Sequence, residues 1–459
     1  MSITDGQSYF DAVFLQLIKQ LNISQKEAVS TLDGPTLVLA GPGTGKTQLI
    51  AAKVGKILMD SDTLPRNILC LTFTDAGVNA LRNRLVQYIG PEGHKVQVLT
   101  FHAFCNQIIQ QNRYHFGQNN LEPISDLERI DIIRMILDEL PWDNPLKKGY
   151  ANAHQFEREW QSLIQWMKKE NYKAADLIEK IDEYCNQMPS LPEFKYKRKQ
   201  GTFNVGDLKE GLYQEFLQKY ARLREAVRLF DVYEQEKNRR HRYDYEDMIL
   251  WVLKAFQDKP YFLSLYQEQF LYVLLDEFQD TNGAQFALVQ TLLNYWDTPN
   301  LFIVGDEDQS IYEFQGARIK HLQDVKDKYG DDLHLVQLKE NYRSTQGILN
   351  ATFAFIQRNT LTSSLKNQGN VSSQPLIAAS ALRQIDSTPI VVEYGSIFQE
   401  EADLVHSLKN LFKKGVNPGQ VAIIFRNNRQ GDQLVTLFEK NSIPYHTSRP
   451  INILHTPIV

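Results

Sequence analysis

At 459 residues the chain exceeds one average domain, so two or three domains are expected. Its 42% hydrophobic and 23% charged content is that of ordinary globular protein and excludes a disordered or fibrous chain. No apolar run reaches the roughly 18 residues of a membrane span, and a net charge of -5 does not exclude nucleic acid, because an acidic protein can be basic in one groove.

The first residues, Met1-Ser2-Ile3-Thr4-Asp5, lack the basic flank and apolar stretch of a signal peptide. Cys70, Cys105 and Cys185 are odd in number and far apart, which fits buried thiols in a reducing cytoplasm better than a disulfide or zinc. The first strong element is Thr36-Leu37-Val38-Leu39-Ala40, a buried-strand pattern running into Gly41-Pro42-Gly43-Thr44-Gly45-Lys46-Thr47. Such a loop turns backbone N–H groups onto phosphate oxygens, with Lys46 bridging the β- and γ-phosphates of ATP and the Thr47 hydroxyl ligating Mg2+. Ala40 stands where the general pattern begins with glycine, a small change.

Strand candidates follow at Ile68–Phe73 and Val96–Thr100. From about residue 113 to 240 the pattern turns helical. Phe156, Trp160, Leu163, Ile164 and Met167, then Leu212, Phe216, Tyr220, Leu223, Val227 and Phe230, fall at three- and four-residue steps and read as helix core. Alternation resumes with Phe270–Leu275, Leu301–Val304 and Leu333–Leu338. The first of these delivers Asp276 and Glu277 at its end, where extended backbone would aim them to opposite sides. Asp276 is therefore assigned to the metal and Glu277 to the general base. Beyond residue 345, Ile390–Tyr394 and Val421–Phe425 read as strands flanking a helix over roughly 398–414, and the chain stops at Val459 with too few strands for a full second sheet.

Taken together, these motifs resemble the UvrD/Rep/PcrA helicases of superfamily 1A. Besides the phosphate loop and Asp276-Glu277-Phe278-Gln279-Asp280-Thr281, the order of that family appears in Leu21–Val29 (Q motif), Leu71–Ala76 (motif Ia), Thr100–Phe104 (motif Ib), Tyr243–Asp247, Val304–Tyr312 (motif III) and Leu338–Ser344 (motif IV). The resemblance implies an α/β fold, a RecA-like P-loop NTPase parallel sheet interrupted by an all-helical insertion and followed by part of a second RecA-like domain. Residues 1–112 and 241–344 would form the first ATP-binding domain, 113–240 the insertion, and 345–459 the incomplete second domain. It implies that Gln25 reads the adenine, Tyr342 packs on the base, Gln309 senses the γ-phosphate and Arg343 is an arginine finger.

For single-stranded DNA and single–double-strand junctions the resemblance nominates Phe73, Thr100, Phe101, His102, Tyr312 and Phe314, with core packing as the alternative for Phe73 and Phe101. Phe314 and Gln315 stand where the family carries tryptophan and arginine, which predicts weaker, less salt-sensitive binding. Basic runs at Lys195–Lys199 and Arg239–Arg242 are either solvated surface or a duplex contact. The family's motifs V and VI are absent, so either the chain is a fragment or a separate polypeptide supplies the rest. The competing readings are a 3′–5′ helicase motor, the motor portion of a helicase–nuclease, and an ATP-dependent DNA-binding module that unwinds nothing.

Overall fold

The computed structural model describes residues 3–116, 121–147, 154–309, 320–358, 375–385 and 387–447. Ten strands occur among them: β1 (Thr36–Ala40), β2 (Ile68–Thr72), β3 (Gln97–Thr100), β4 (Glu122–Pro123), β5 (Arg242–Tyr243), β6 (Tyr272–Leu275), β7 (Leu301–Gly305), β8 (His334–Leu338), β9 (Glu340–Asn341) and β10 (Ile377–Ala378). Six of them form one sheet in the order β3-β2-β6-β7-β1-β8, parallel throughout. The expected parallel α/β sheet is thus present, and each of its six strand candidates forms within two residues of its predicted start.

These strands are continuously apolar because both faces are covered. Leu37, Leu39, Leu69, Leu71, Val273, Leu275 and Ile303 point into one core, under helices Phe101–Gln111, Asp247–Asp258 and Gly283–Leu293. Val38, Ala40, Cys70, Leu274, Phe302 and Val304 point into the other, under Lys46–Asp60 and Asp75–Ile89. The period-two alternation of a strand assigns each residue to its layer.

Between β3 and β6 the chain is mainly helical, as expected. Trp160, Ile164 and Met167 lie buried on helix Glu157–Lys169, and Val227 on Glu210–Arg228; Trp160 Nε1 donates to the Ala226 carbonyl at 2.9 Å. An ion network joins this region to the start of helix Asp247–Asp258. Lys168 Nζ reaches Asp247 Oδ1 at 2.8 Å, Glu234 Oε1 at 2.5 Å and also Asp244. Lys237 Nζ binds Asp247 Oδ2 at 2.5 Å and Glu234 Oε2 at 2.9 Å, while Arg129 holds Asp244 Oδ1 at 3.2 Å.

The chain divides into compact units Met1–Ser387 and Thr388–Val459. In the second, helices Ile397–Lys413 and Asn428–Lys440 share a small core of Leu408, Phe438 and Ile443. Ile390–Tyr394 and Val421–Phe425 correct the sequence expectation, since neither forms a strand among the described residues. Ile390, Val391 and Ile424 are 86%, 94% and 95% exposed; an apolar run becomes a strand only where a neighbour completes its ladder.

Candidate functional site

The loop after β1 is shaped by backbone that L side chains rarely adopt. Gly43 and Gly45 have φ of 74° and 90°, and a Cβ on Gly43 would stand 2.6 Å from Arg343 Cβ. Thr44 Oγ1 closes the turn by donating to the Gly41 carbonyl at 2.8 Å. Gln25 supports it from outside: its Nε2 donates to the Thr44 carbonyl at 3.0 Å, and its Oε1 accepts the Asn22 N–H at 3.1 Å in a helix capping box. The Gln25 amide is thus committed to the loop and the cap.

Immediately beyond β8, the segment predicted to carry Tyr342 and Arg343 lies on this loop. Asn341, buried in β9, donates to the Pro42 carbonyl and accepts from Arg343 N–H at 2.9 Å and Ser344 N–H at 2.7 Å. Tyr342 N–H donates to the Gly43 carbonyl at 2.8 Å, and its hydroxyl sits between Asn22 Nδ2 and Glu340 Oε2. Arg343 is exposed beside Gly43. Sequence reasoning gave Asn341 no role, although it lay inside a quoted motif.

Lys46 Nζ lies 2.6 Å from Glu277 Oε2, so the two distant motifs meet. They meet differently from the strand-end expectation: β6 stops at Leu275, and Glu277 has a left-handed backbone, φ 48° and ψ 48°. A non-glycine residue there is strained, a cost met where surrounding structure over-determines it. Burial, then the charge of Glu277, push the Asp276 carboxyl up to about 6 against the pull of Lys46. Asp280 is raised to about 6 by the same two causes, and its Oδ1 is buried with no hydrogen-bond partner among the described residues. Neither carboxyl is in an ion pair among the described residues, and the charge of Lys46 only partly offsets their burial, an environment compatible with a divalent cation. The residues therefore fit magnesium at Asp276, and Thr47 stands in the first turn of helix Lys46–Asp60.

At the end of β7, Gln309 Nε2 donates to Asp306 Oδ2 at 2.6 Å. Gln279, also without an assigned role in the sequence, donates from Nε2 to Glu277 Oε2 at 2.8 Å.

The residues nominated for DNA divide. Phe73 is partly exposed just past β2, and Thr100 caps helix Phe101–Gln111 by accepting the Ala103 N–H at 3.2 Å. Phe101 corrects the expectation: it is 3% exposed and packs in the sheet core, so its face cannot receive a base. His102 instead stacks on Tyr245, centroids 4.2 Å apart and planes at 26°. Burial, reinforced by nearby Lys169, lowers His102 to about 4, so it is neutral at physiological pH. Tyr245 is 61% exposed and lies in the Tyr243–Asp247 element, where sequence reasoning assigned it no role. Tyr312 and Phe314 lie outside the described residues.

No helix among the described residues is long and apolar enough to cross a membrane. The UvrD/REP helicase N-terminal domain family matches residues 21–330, and the UvrD-like helicase C-terminal domain family matches 336–457. Similar proteins include an ATP-dependent DNA helicase PcrA of Staphylococcus epidermidis, 28% identical over 434 residues, covering 94% of this chain and 51% of that protein. Another, of the same name from Staphylococcus aureus strain Mu50, is 27% identical over 435 residues with the same coverage. The chain spans about half the length of these curated relatives.

Proposed function

The chain belongs to the UvrD/REP helicase family, and from that premise we propose that it is the ATP-hydrolysing motor region of a DNA helicase that couples turnover to single-stranded DNA and moves 3′ to 5′. The observation that carries the reading is the meeting of Lys46 and Glu277 at 2.6 Å beside buried Asp276. Backbone N–H groups of Gly43 to Thr47 bind phosphate oxygens, and Lys46 exchanges Glu277 for the β- and γ-phosphates. Asp276 and Thr47 would hold magnesium, which when bound neutralises charge on those phosphates. Glu277, released from Lys46, accepts the proton of the attacking water. Arg343, already beside the loop, compensates charge as the terminal phosphate departs, while Gln309 senses that phosphate and Tyr342 lies against the nucleobase. Gln25, close by, reads adenine by giving up one of its present bonds.

Single-stranded DNA, in this reading, crosses the carboxyl ends of β2 and β3, where Phe73, Thr100, His102 and Tyr245 gather. The exposed basic residues Lys197, Arg198 and Lys199 suit a duplex flank of the junction. The test is Glu277→Gln. Turnover should fall by about 10²- to 10⁴-fold while calorimetry still detects ATP; undiminished turnover would remove Glu277 from the mechanism.

A further inference from the structure

Gln279 is 2% exposed and both ends of its amide are used. Nε2 donates to Glu277 Oε2 at 2.8 Å, and Oε1 accepts the Asp306 N–H at 2.9 Å. The Asp306 carboxylate in turn accepts from Gln309 Nε2 at 2.6 Å and Asp308 N–H at 3.0 Å. One hydrogen-bonded chain therefore runs from Glu277, past the end of β6, to the turn beyond β7 that carries Gln309.

Glu277 Oε2 is shared between Lys46 and Gln279. Once Lys46 engages phosphate, Gln279 is the side-chain donor that remains on this oxygen among the described residues. It leaves the other carboxylate oxygen open to water. Because a buried amide with both ends engaged cannot rotate without losing a hydrogen bond, displacement of the Asp306–Gln309 turn must act on Glu277.

We propose that Gln279 is a positioning residue for ATP hydrolysis, aiming the Glu277 carboxylate and tying its position to the Asp306–Gln309 turn, so that DNA contact relayed through Gln309 changes turnover. This rests on Glu277 being the general base. It differs from a purely structural role, in which a satisfied buried amide only supports the fold.

The test uses the full-length protein with Gln279→Met, which keeps the length and removes both bonds, and Gln279→Glu, which keeps an acceptor for Asp306 N–H but offers Glu277 no hydrogen. Steady-state hydrolysis is measured with and without oligo-dT, beside thermal melting and Glu277→Gln. Both variants should lose about 10- to 100-fold in kcat, the scale of a misplaced catalytic group, with KM for ATP within about threefold. Stimulation by DNA should vanish in both variants, because each removes the bond from residue 279 to Glu277 through which the turn acts; should Gln279→Met not fold, the kcat and stimulation of Gln279→Glu decide. Wild-type kcat and stimulation in both variants, or a loss that merely follows a lowered melting temperature, overturns the proposal. Turnover surviving in Glu277→Gln overturns the base assignment as well, whereas its loss there beside intact Gln279 variants refutes the role of Gln279 alone.

Discussion

Replacing Lys168 by methionine tests whether the buried ion network holds the helical region to the sheet. Lys168 is 1% exposed and its ammonium meets Asp247 Oδ1 at 2.8 Å, Glu234 Oε1 at 2.5 Å and Asp244. Three carboxylates now face three cations, Lys168, Lys237 and Arg129; the variant leaves three facing two. One pair at this distance is worth about 6 kcal/mol gross at an effective dielectric near 20. Relief of the desolvation of Lys168 offsets part of that, so the expected net loss is about 3–5 kcal/mol, the usual result of breaking one partner out of a buried pair. If residues 1–387 unfold together, the entropy of roughly 2.1 cal/mol/K per residue converts this to a fall of about 4–6 °C in melting temperature. The pH dependence adds a second readout. Burial alone would raise Asp244, but Lys168 and Lys237 hold it far below the ordinary carboxylate range. Its folded value is below its unfolded one, so its contribution is present above about pH 4 and lost as pH falls further. In Lys168→Met that hold weakens, the carboxylate protonates at higher pH, and the stability gap to wild type narrows between pH 7 and pH 4. Thermal melts by circular dichroism across that range decide it. An unchanged melting temperature, or a gap that does not vary with pH, refutes the reasoning.

Three further outcomes follow from the site and its surroundings. Asp276 is raised to about 6, so in the metal-free protein it favours the folded state below its unfolded value of about 3.8 and loses that contribution as pH rises through 6. Loading magnesium nucleotide should therefore release roughly half a proton from Asp276 at pH 6 and almost none at pH 8. Calorimetry in two buffers of different ionisation enthalpy reads this, and equal heats at pH 6 would contradict it. Tyr245→Ala should weaken oligo-dT binding by about 1–3 kcal/mol, or roughly 5- to 150-fold, measured by fluorescence anisotropy. Phe101→Ala should instead cost about 3–5 kcal/mol of stability through the core it fills; unaltered affinity in Tyr245→Ala would end the stacking role.

The central strands were legible because a strand covered on both faces must be apolar throughout, and Thr36–Ala40 and Tyr272–Leu275 are nearly so. The phosphate loop was legible because its geometry demands glycine where φ is positive, as at Gly43 and Gly45. What escaped has physical reasons. Ile390–Tyr394 carries the same apolar signal as β1, but strand formation depends on a partner that no local pattern encodes. Phe101 and His102 are adjacent at a helix start, and only the direction of the helix decides which enters the core and which stacks on Tyr245. The left-handed turn at Glu277 was invisible, since glutamate has no preference for it. Gln279 and Asn341 were given no roles because each also bonds a backbone group brought in from elsewhere in the chain, the Asp306 N–H and the Pro42 carbonyl.

The sheet order explains why the two motifs can touch. β1 and β6 are not neighbours; β7 lies between them, so the loop after β1 and the acids after β6 start about 10 Å apart, twice the strand spacing. Lysine and glutamate side chains can close that distance only over the end of β7. That strand ends in Gly305, where an added Cβ would stand 3.2 Å from Gln279 Oε1 and 3.5 Å from Phe278 Cβ. A side chain there would crowd the Gln279 amide oxygen that accepts the Asp306 N–H, the other end of the amide that holds Glu277. The glycine that closes β7 thus leaves room for the Gln279 amide that holds Glu277, while the left-handed backbone of Glu277 accompanies a carboxylate that reaches Lys46.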